Sequence, residues 1–266
     1  MTQAKRLALH NQGLRAKKPF GSGLAGTARA IEELTYIQID TIAVVERAHH
    51  HTLWTRVPNY APAMLDELVA RGKVFEYWSH AAAYLPMSHY RYSLLRKKWL
   101  AEGGSHWFKP NRKVMKSVEK RIEKEGPLKA RDFKTTEARG GPWWDWKPAK
   151  AALERLFHEG RLMIARREGF EKVYDLAERV LPHEVDTSLP SREEYVDHLV
   201  NRTIKAHGFV SAEQIAYQRG ALLKKSVMDR LAEEDIIKVT VDGLTDTFYS
   251  HKDVLSESMK KRGKAQ

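Results

Sequence analysis

The stretch that decides the fold class consists of Ile236-Ile-Lys-Val-Thr-Val241, then Asp242-Gly243, then Thr247-Phe-Tyr249. Short strand-like runs on either side of an Asp-Gly pair predict a β-hairpin. A helical pattern from about Ala221 precedes it. Further upstream, Ser191-Arg-Glu-Glu194 and Ser211-Ala-Glu-Gln214 have the capping-box pattern and predict helices over 192–206 and 212–218. Helices that are followed by a hairpin are typical of a winged helix-turn-helix.

Two earlier segments repeat this order. In the first, a helix that contains Met64 and Leu65 leads into predicted strands over 74–78 and 81–85. In the second, helices are predicted over 111–125 and from about Pro148, with a short segment over 128–133 between them. Strands over 162–165 and 172–176 follow, and Gly169 lies in their turn.

The repeated order predicts a mainly α fold with small β-hairpins (α+β), built from tandem winged helix-turn-helix units. The first unit would also hold an N-terminal helix. The expected boundaries are 1–108, 109–186 and 187–256 for the three units and 257–266 for a basic disordered tail.

Composition excludes several classes of protein. The chain has 266 residues, of which 42% are hydrophobic, so ordinary cores can form. It contains no cysteine, which excludes disulfides, thiolate metal sites and cysteine nucleophiles. No apolar run resembles a signal peptide or approaches the ~20 residues that a membrane span requires. We therefore expect a cytoplasmic protein, associated with the nucleoid, that does not contact membranes.

The charge indicates an anionic partner. The formal net charge is +12, and the stretch from Arg91 to Lys134 holds 14 Lys and Arg against 5 Asp and Glu. Clustered cations of this kind favour double-stranded DNA as the partner, with Lys113 and Lys116 as contacts. A solvated helical face is the alternative, because Val114, Val118 and Ile122 recur at four-residue spacing between these charges.

Three conspicuous motifs are better explained by structure than by ligand binding. Gly21-Ser-Gly-Leu-Ala-Gly26 matches a dinucleotide fingerprint but lacks a preceding strand, so it predicts a loop that enters a helix near Thr27. His49, His50 and His51 are adjacent and cannot converge on one ion, so we expect neither a metal nor a cofactor. The tryptophans in the link over 140–146 are expected to anchor a loop; they are Trp143, Trp144 and Trp146.

Gln38-Ile39-Asp40 is the candidate for chemistry. Period-two alternation places Ile37, Ile39 and Thr41 on one face of an extended chain and Gln38, Asp40 and Ile42 on the other. Residues two apart lie roughly 6.5 Å from each other, so an amide and a carboxylate could hold one water between them. A half-buried edge strand or a helix cap with two solvated polar groups has the same pattern, and spacing alone does not decide between these interpretations.

Several segments together resemble the YcaQ and AlkZ family of bacterial DNA glycosylases. The similarity extends over most of 27–252 and lies in Tyr36-Ile-Gln38-Ile-Asp40-Thr41-Ile, Glu46-Arg-Ala-His49, Glu76-Tyr-Trp78-Ser-His80-Ala, Trp143-Trp-Asp-Trp146-Lys147, Lys150-Ala-Ala-Leu-Glu154, Gly160-Arg-Leu, Arg167-Glu-Gly-Phe170 and Tyr174-Asp-Leu-Ala-Glu-Arg-Val-Leu-Pro182. Family members remove N7-alkylated guanines, and the Gln-x-Asp branch unhooks interstrand crosslinks. The resemblance implies a monofunctional glycosylase in which Gln38 and Asp40 are catalytic. A C-terminal β-rich domain usual in the family is not expected in this chain, which would make it a truncated form.

A tethered base cannot easily rotate out of the duplex, so an open DNA channel is expected, lined by His50, His51, Arg56 and Trp78. We expect the protein to act as a monomer. The alternatives to an enzyme are a non-catalytic winged-helix regulator or accessory factor, which would use charge and fold only for binding, and a scaffold that binds proteins.

Overall fold

A computed structural model describes residues 3–108, 111–133 and 148–260. The chain divides into two compact units, each assembled from separate stretches of sequence. Unit 1 comprises the described residues of Met1–Met64, Ser79–Pro86 and Pro190–Gln266, and unit 2 comprises those of Leu65–Trp78 and Met87–Leu189. Within the described ranges, no helix is both long and apolar enough to cross a bilayer.

Helices dominate, and the strands are short. In chain order the elements are α1 (Gln3–Asn11), α2 (Gly23–Leu34), β1 (Ile37–Gln38), α3 (Ala48–Trp54), α4 (Pro62–Ala70), β2 (Val74–Trp78), β3 (Ala82–Pro86), α5 (Tyr90–Ala101), α6 (Arg112–Glu125), β4 (Leu128–Lys129), α7 (Pro148–His158), β5 (Leu162–Glu168), β6 (Glu171–Leu176), α8 (Ala177–Val180), α9 (Arg192–His207), β7 (Val210–Ser211), α10 (Ala212–Ile215), α11 (Ala221–Arg230), β8 (Ile236–Val239), β9 (Phe248–His251) and α12 (Lys252–Lys260). Short 3₁₀ turns cover Met87–His89 and Ala130–Phe133.

One order of elements recurs along the chain: a helix, a two-residue strand, further helical segments and a hairpin. It runs from α2 to β3, from α6 to β6 and from α9 to β9. The fold class predicted from the sequence, mainly α with small antiparallel hairpins, is therefore confirmed. The sequence did not predict the two-residue strands β4 and β7. In each case the short strand pairs antiparallel with the last strand of its hairpin, as Ile37 with Tyr84, Leu128 with Tyr174 and Val210 with Tyr249.

Both predicted capping boxes are present. The Ser191 hydroxyl accepts a hydrogen bond from the backbone N–H of Glu194 at 3.1 Å, and the Glu194 carboxylate accepts one from the N–H of Ser191 at 2.7 Å. Ser211 and Gln214 make the same reciprocal pair at the start of α10. These bonds satisfy amides that the first helical turn leaves without partners, so the local sequence alone determines where α9 and α10 begin.

Three expected boundaries differ from the structure. The hairpin from β8 to β9 closes between Val239 and Phe248, so Asp242-Gly243 forms a turn inside an exposed loop over 240–247 instead of joining the strands directly. Helix α2 begins at Gly23 and not near Thr27, because the N–H of Gly26 already donates to the Ser22 carbonyl at 3.1 Å. The expected disordered tail begins at 257, whereas α12 continues to Lys260, and 261–266 lie outside the described residues.

Apolar faces of helices form the cores. In unit 1 the buried residues of α9 recur at three- and four-residue spacing and pack with α10, α11 and the hairpin; they are Val196, Leu199, Val200, Ile204, Ile215, Val227, Leu231, Ile236 and Tyr249. In unit 2 helix α6 buries Met115, Val118 and Ile122. Val114 is only partly buried, and the basic side chains of α6 remain on the opposite, exposed face.

Candidate active site

Gln38 and Asp40 follow the predicted alternation over a short stretch. Ile37 and Ile39 are buried, Gln38 is exposed and Asp40 is partly exposed. The alternation ends there, because the Asp40 carboxylate accepts a hydrogen bond from the backbone N–H of Ile42 at 2.9 Å and turns the chain. Thr41 was expected on the same face as Ile37 and Ile39, and this is wrong, since Thr41 is exposed whereas the two isoleucines are buried.

His80 fixes the amide of Gln38. The Nε2 atom of His80 lies 3.2 Å from Oε1 of Gln38, and a carbonyl oxygen can only accept, so Nε2–H is the donor. Pairing of β1 with β3 allows this contact, because Gln38 stands opposite Ala83 at the start of the strand that follows His80. Sequence reasoning included His80 only in a motif of resemblance and missed it as a site residue.

Two tyrosines hold the His80 ring. The Tyr36 ring meets it edge to face with ring centroids 5.3 Å apart, and the exposed Tyr217 ring lies 6.2 Å away. Tyr217 belongs to the third repeat, so residues from both ends of the sequence contact the imidazole. Edge-to-face packing restricts the rotation of the ring and therefore the direction of its N–H.

Two arginines give the site a positive potential. Burial lowers the pKa of His80 below its ordinary value, and the charges of Arg202 and Arg219 lower it further, which favours the neutral imidazole. Arg219 is oriented by Tyr195, whose hydroxyl accepts from it at 2.5 Å. Burial is also the main cause that lowers the pKa of the Arg202 guanidinium; Tyr195 opposes this shift, and the charge of Arg219 adds to it. Neither arginine was predicted, because they are separated from Gln38 by more than 160 positions in the sequence.

A family model for AlkZ-like DNA glycosylases matches residues 31–265. The chain belongs to this family. It is therefore a DNA glycosylase, with DNA as its substrate. Its fold is similar to a solved structure of the Streptomyces sahachiroi DNA glycosylase AlkZ, with a TM-score of 0.67 over 97% of this chain and 72% of that chain, at 14% sequence identity. The resemblance found in the sequence is thus confirmed at the level of the family.

The glycosylase holds its adjacent histidines in different roles. His49 is buried, and its Nδ1 accepts a hydrogen bond from the backbone N–H of Asp40 at 3.3 Å. The Nδ1 of His50 lies 2.7 Å from the Tyr60 hydroxyl. His51 is exposed, and its ring packs edge to face with the Trp54 ring, with the two ring centroids 5.4 Å apart. His49 therefore supports the backbone at Asp40, and of these three only His51 presents an exposed side chain.

The remaining residues predicted to contact DNA lie in both units. In unit 1 the Arg56 guanidinium donates to the carbonyls of Gln12 at 2.7 Å and Thr52 at 2.9 Å, so most of it is engaged within the protein. In unit 2 Trp78 packs against Trp107 with ring centroids 5.2 Å apart. Lys113 and Lys116 are exposed on α6. The tryptophans expected to anchor a loop, Trp143, Trp144 and Trp146, lie outside the described residues.

Proposed function

We propose that this glycosylase hydrolyses the glycosidic bond of guanines alkylated at N7, including guanines tethered in interstrand crosslinks, and that it does so without a covalent intermediate or a cofactor. The observation that carries this proposal is the exposed Gln38 amide, which His80 holds two residues before the partly exposed Asp40 carboxylate. The resemblance to Gln-x-Asp members of the family supports the same pair. We expect the enzyme to act as a monomer on double-stranded DNA, in the cytoplasm at the nucleoid.

The chemistry of the substrate explains why so few groups are needed. Alkylation at N7 makes guanine cationic, so the C1′–N9 bond is weakened before the enzyme binds and the leaving base needs no proton. What remains is to stabilise positive charge on the sugar and to supply an oriented water. A carboxylate next to an amide meets both needs, and a lysine nucleophile is not required.

Each polar atom then has one task. The Asp40 carboxylate accepts a hydrogen bond from the water and attracts the positive charge that develops on the sugar. The Gln38 amide N–H donates to one lone pair of the water, which leaves the other directed at C1′. As the C1′–O bond forms, the C1′–N9 pair moves to the base and neutralises its imidazolium ring. The water proton passes to Asp40 and then to solvent.

His80 gives the amide its direction. With Oε1 accepting from His80, the NH₂ end of Gln38 points away from the imidazole and remains available to the water. The tyrosines that hold His80 therefore act on the water through two hydrogen bonds. His80 is a positioning residue in this mechanism, and it does not touch the reacting atoms.

Contacts with the duplex are proposed at the exposed or partly exposed residues that the sequence singled out. In unit 1 His50, His51 and Arg56 would contact the duplex, and in unit 2 Trp78 would contact it while Lys113 and Lys116 bind phosphates. Arg219, which is partly exposed, would bind a phosphate too, and the phosphate charge would offset its repulsion of a cationic base.

Release of base from a duplex that carries N7-methylguanine or a nitrogen-mustard crosslink tests this function. We expect Asp40→Asn to slow single-turnover excision by about 10²–10³ fold, the loss typical of removing one group that stabilises a transition state. Asp246→Asn is the matched control, because Asp246 is exposed in the loop over 240–247. Equal rates for the wild type and Asp40→Asn would refute the proposed role of Asp40.

A double-mutant cycle separates the role of His80 from that of Gln38. We expect His80→Phe to lower the rate constant of excision with little change in the Kd for DNA, and His80→Gln, which keeps an N–H donor, to restore part of the rate. In a Gln38→Ala background, His80→Phe should have almost no further effect, because the two side chains act as one device. Additive effects would show that His80 does not act through Gln38.

A further inference from the structure

The segment directly after Asp40 is an exposed apolar loop. Ile42 is 71% exposed, Val44 92% and Val45 89%, values that place these two valines among the most exposed large hydrophobic residues described. Single exposed apolar residues are common on protein surfaces, but several in four consecutive positions make a patch that marks an interaction site. We call Ile42–Val45 the apolar loop.

Local hydrogen bonds hold the apolar loop in a defined shape. At its start the Asp40 carboxylate accepts from the N–H of Ile42 at 2.9 Å. At its end Ala43 and Arg47 form an antiparallel bridge, and the N–H of Arg47 donates to the Glu46 carboxylate at 2.9 Å. Val44 and Val45 therefore stand at the tip of a tight turn. A tip that is already ordered loses little conformational entropy when it binds.

We propose that the apolar loop is a wedge that enters the base stack of the substrate duplex from the minor groove, next to the lesion. The proposal rests on the proposed function, because it takes Asp40 as the group beside C1′. C1′ borders the minor groove, so a loop that begins two residues after Asp40 lies at this groove when Asp40 reaches the sugar. Each residue of extended chain spans about 3.3 Å, close to the spacing of stacked base pairs.

The base stack is the occupant that these observations favour. Minor-groove proteins insert apolar side chains between base steps and kink the duplex. A crosslinked guanine is tethered to the opposite strand and cannot be rotated out, so the enzyme needs another way to expose C1′. Separation of one base step by Val44 and Val45 would open the sugar without moving the tethered base. β-Branched valines suit this task because their side chains are short and stiff.

Fluorescence of 2-aminopurine tests the wedge directly. The probe is a duplex in which 2-aminopurine stacks beside a 2′-fluorinated N7-methylguanine, whose glycosidic bond resists cleavage. We expect the wild type and Asp40→Asn to raise the fluorescence on binding, because the base loses its neighbour, and Val44→Ser/Val45→Ser to remove most of the rise. On cleavable N7-methylguanine DNA the double variant should excise at least about tenfold more slowly, given the apolar contact that two valines lose.

Controls separate the possible outcomes. Leu189→Ser changes another exposed apolar residue and should leave the fluorescence rise intact. Val44→Ile/Val45→Ile should keep it, and thermal unfolding of every variant shows whether the fold is preserved. A double serine variant with wild-type fluorescence and rate would overturn the wedge, as would one whose main change is the loss of self-association in sedimentation. If Asp40→Asn excises normally but the serine variant loses the fluorescence rise, the proposed catalytic role fails and the wedge stands.

Discussion

Two polar pairs that both lie in segments of family resemblance have opposite surroundings. In unit 1 Gln38 is exposed and Asp40 partly exposed, and their side chains contact neighbours through single hydrogen bonds. In unit 2 Glu76 is only 5% exposed and forms two hydrogen bonds with Arg167, at 2.6 Å and 2.8 Å. Arg167 also lies over the Phe170 ring, 4.3 Å from its centroid.

This difference separates residues that stabilise the fold from residues that are available for chemistry, which resemblance to a family does not do by itself. A buried carboxylate with a bidentate partner is satisfied within the protein, and its loss leaves an uncompensated charge in the interior. An exposed carboxylate beside an amide has lone pairs left for water or substrate. The Glu76–Arg167 pair therefore supports the fold and the Gln38–Asp40 pair is available for chemistry, although both lie in segments that are similar to the same family.

Glu76→Gln should produce the largest change in stability. The Arg167 guanidinium would stay charged and largely buried without its counter-ion, so we expect the free energy of unfolding to fall by about 3–5 kcal/mol. Denaturant unfolding measures the loss. Glu67→Gln removes an exposed i,i+4 pair with Arg71 and should cost about 0–1 kcal/mol. If both variants lose the same amount, the Glu76 pair has no special structural role.

Asp40→Asn should reverse this pattern. The asparagine side-chain oxygen can still accept from the N–H of Ile42, so the turn is kept and we expect a change in the free energy of unfolding within about 0.5 kcal/mol. Excision should nevertheless fall as described above. Parallel measurement of unfolding and excision in Glu76→Gln and Asp40→Asn sharpens the comparison, and a large loss of stability in Asp40→Asn would break it.

Lys97→Met examines a second buried charge in unit 2, one that packs against aromatic rings. Lys97 on α5 is buried with its ammonium group 3.8 Å from the centroid of the Tyr90 ring, and burial lowers its pKa to about 7. The unfolded lysine keeps its proton to about pH 10, so between pH 7 and 10 the unfolded chain binds more protons and stability rises with pH. Lys97→Met should therefore stabilise the protein more at pH 6.5 than at pH 9 in denaturant unfolding. An equal effect at both pH values would contradict the lowered pKa.

Lys113→Gln and Lys116→Gln should have the smallest effect. Each is expected to weaken binding to undamaged duplex modestly and to reduce the slope of log K against log salt by about 1, as loss of one phosphate contact does. Fluorescence anisotropy at several salt concentrations measures the slope. Lys98→Gln, a change at an exposed lysine on another helix of the same unit, is the control. Unchanged slopes would favour the interpretation of α6 as a solvated face.

Local sequence patterns predicted most of the secondary-structure elements. The capping boxes, the helical spacing in α9 and the hairpin residues act over a few positions, so the sequence predicted where these elements lie. It failed where neighbours in space decide: strands β4 and β7 have two residues each and exist because they pair with the last strand of a hairpin. The Asp242-Gly243 turn was predicted correctly as a turn, but the strands pair only as far as Val239 and Phe248, which leaves 240–247 as a loop.

The candidate site, too, has features that the sequence predicted and features that only the tertiary structure shows. The sequence by itself predicted that Gln38 and Asp40 share a side of the chain, because alternation is a property of extended backbone. Only the tertiary structure decided that His80 orients the Gln38 amide, that Tyr217 and Arg219 approach from the far end of the chain, and that Glu76 is buried against Arg167. These contacts join residues separated by 42 to 139 positions, and no local pattern encodes a distance set by packing.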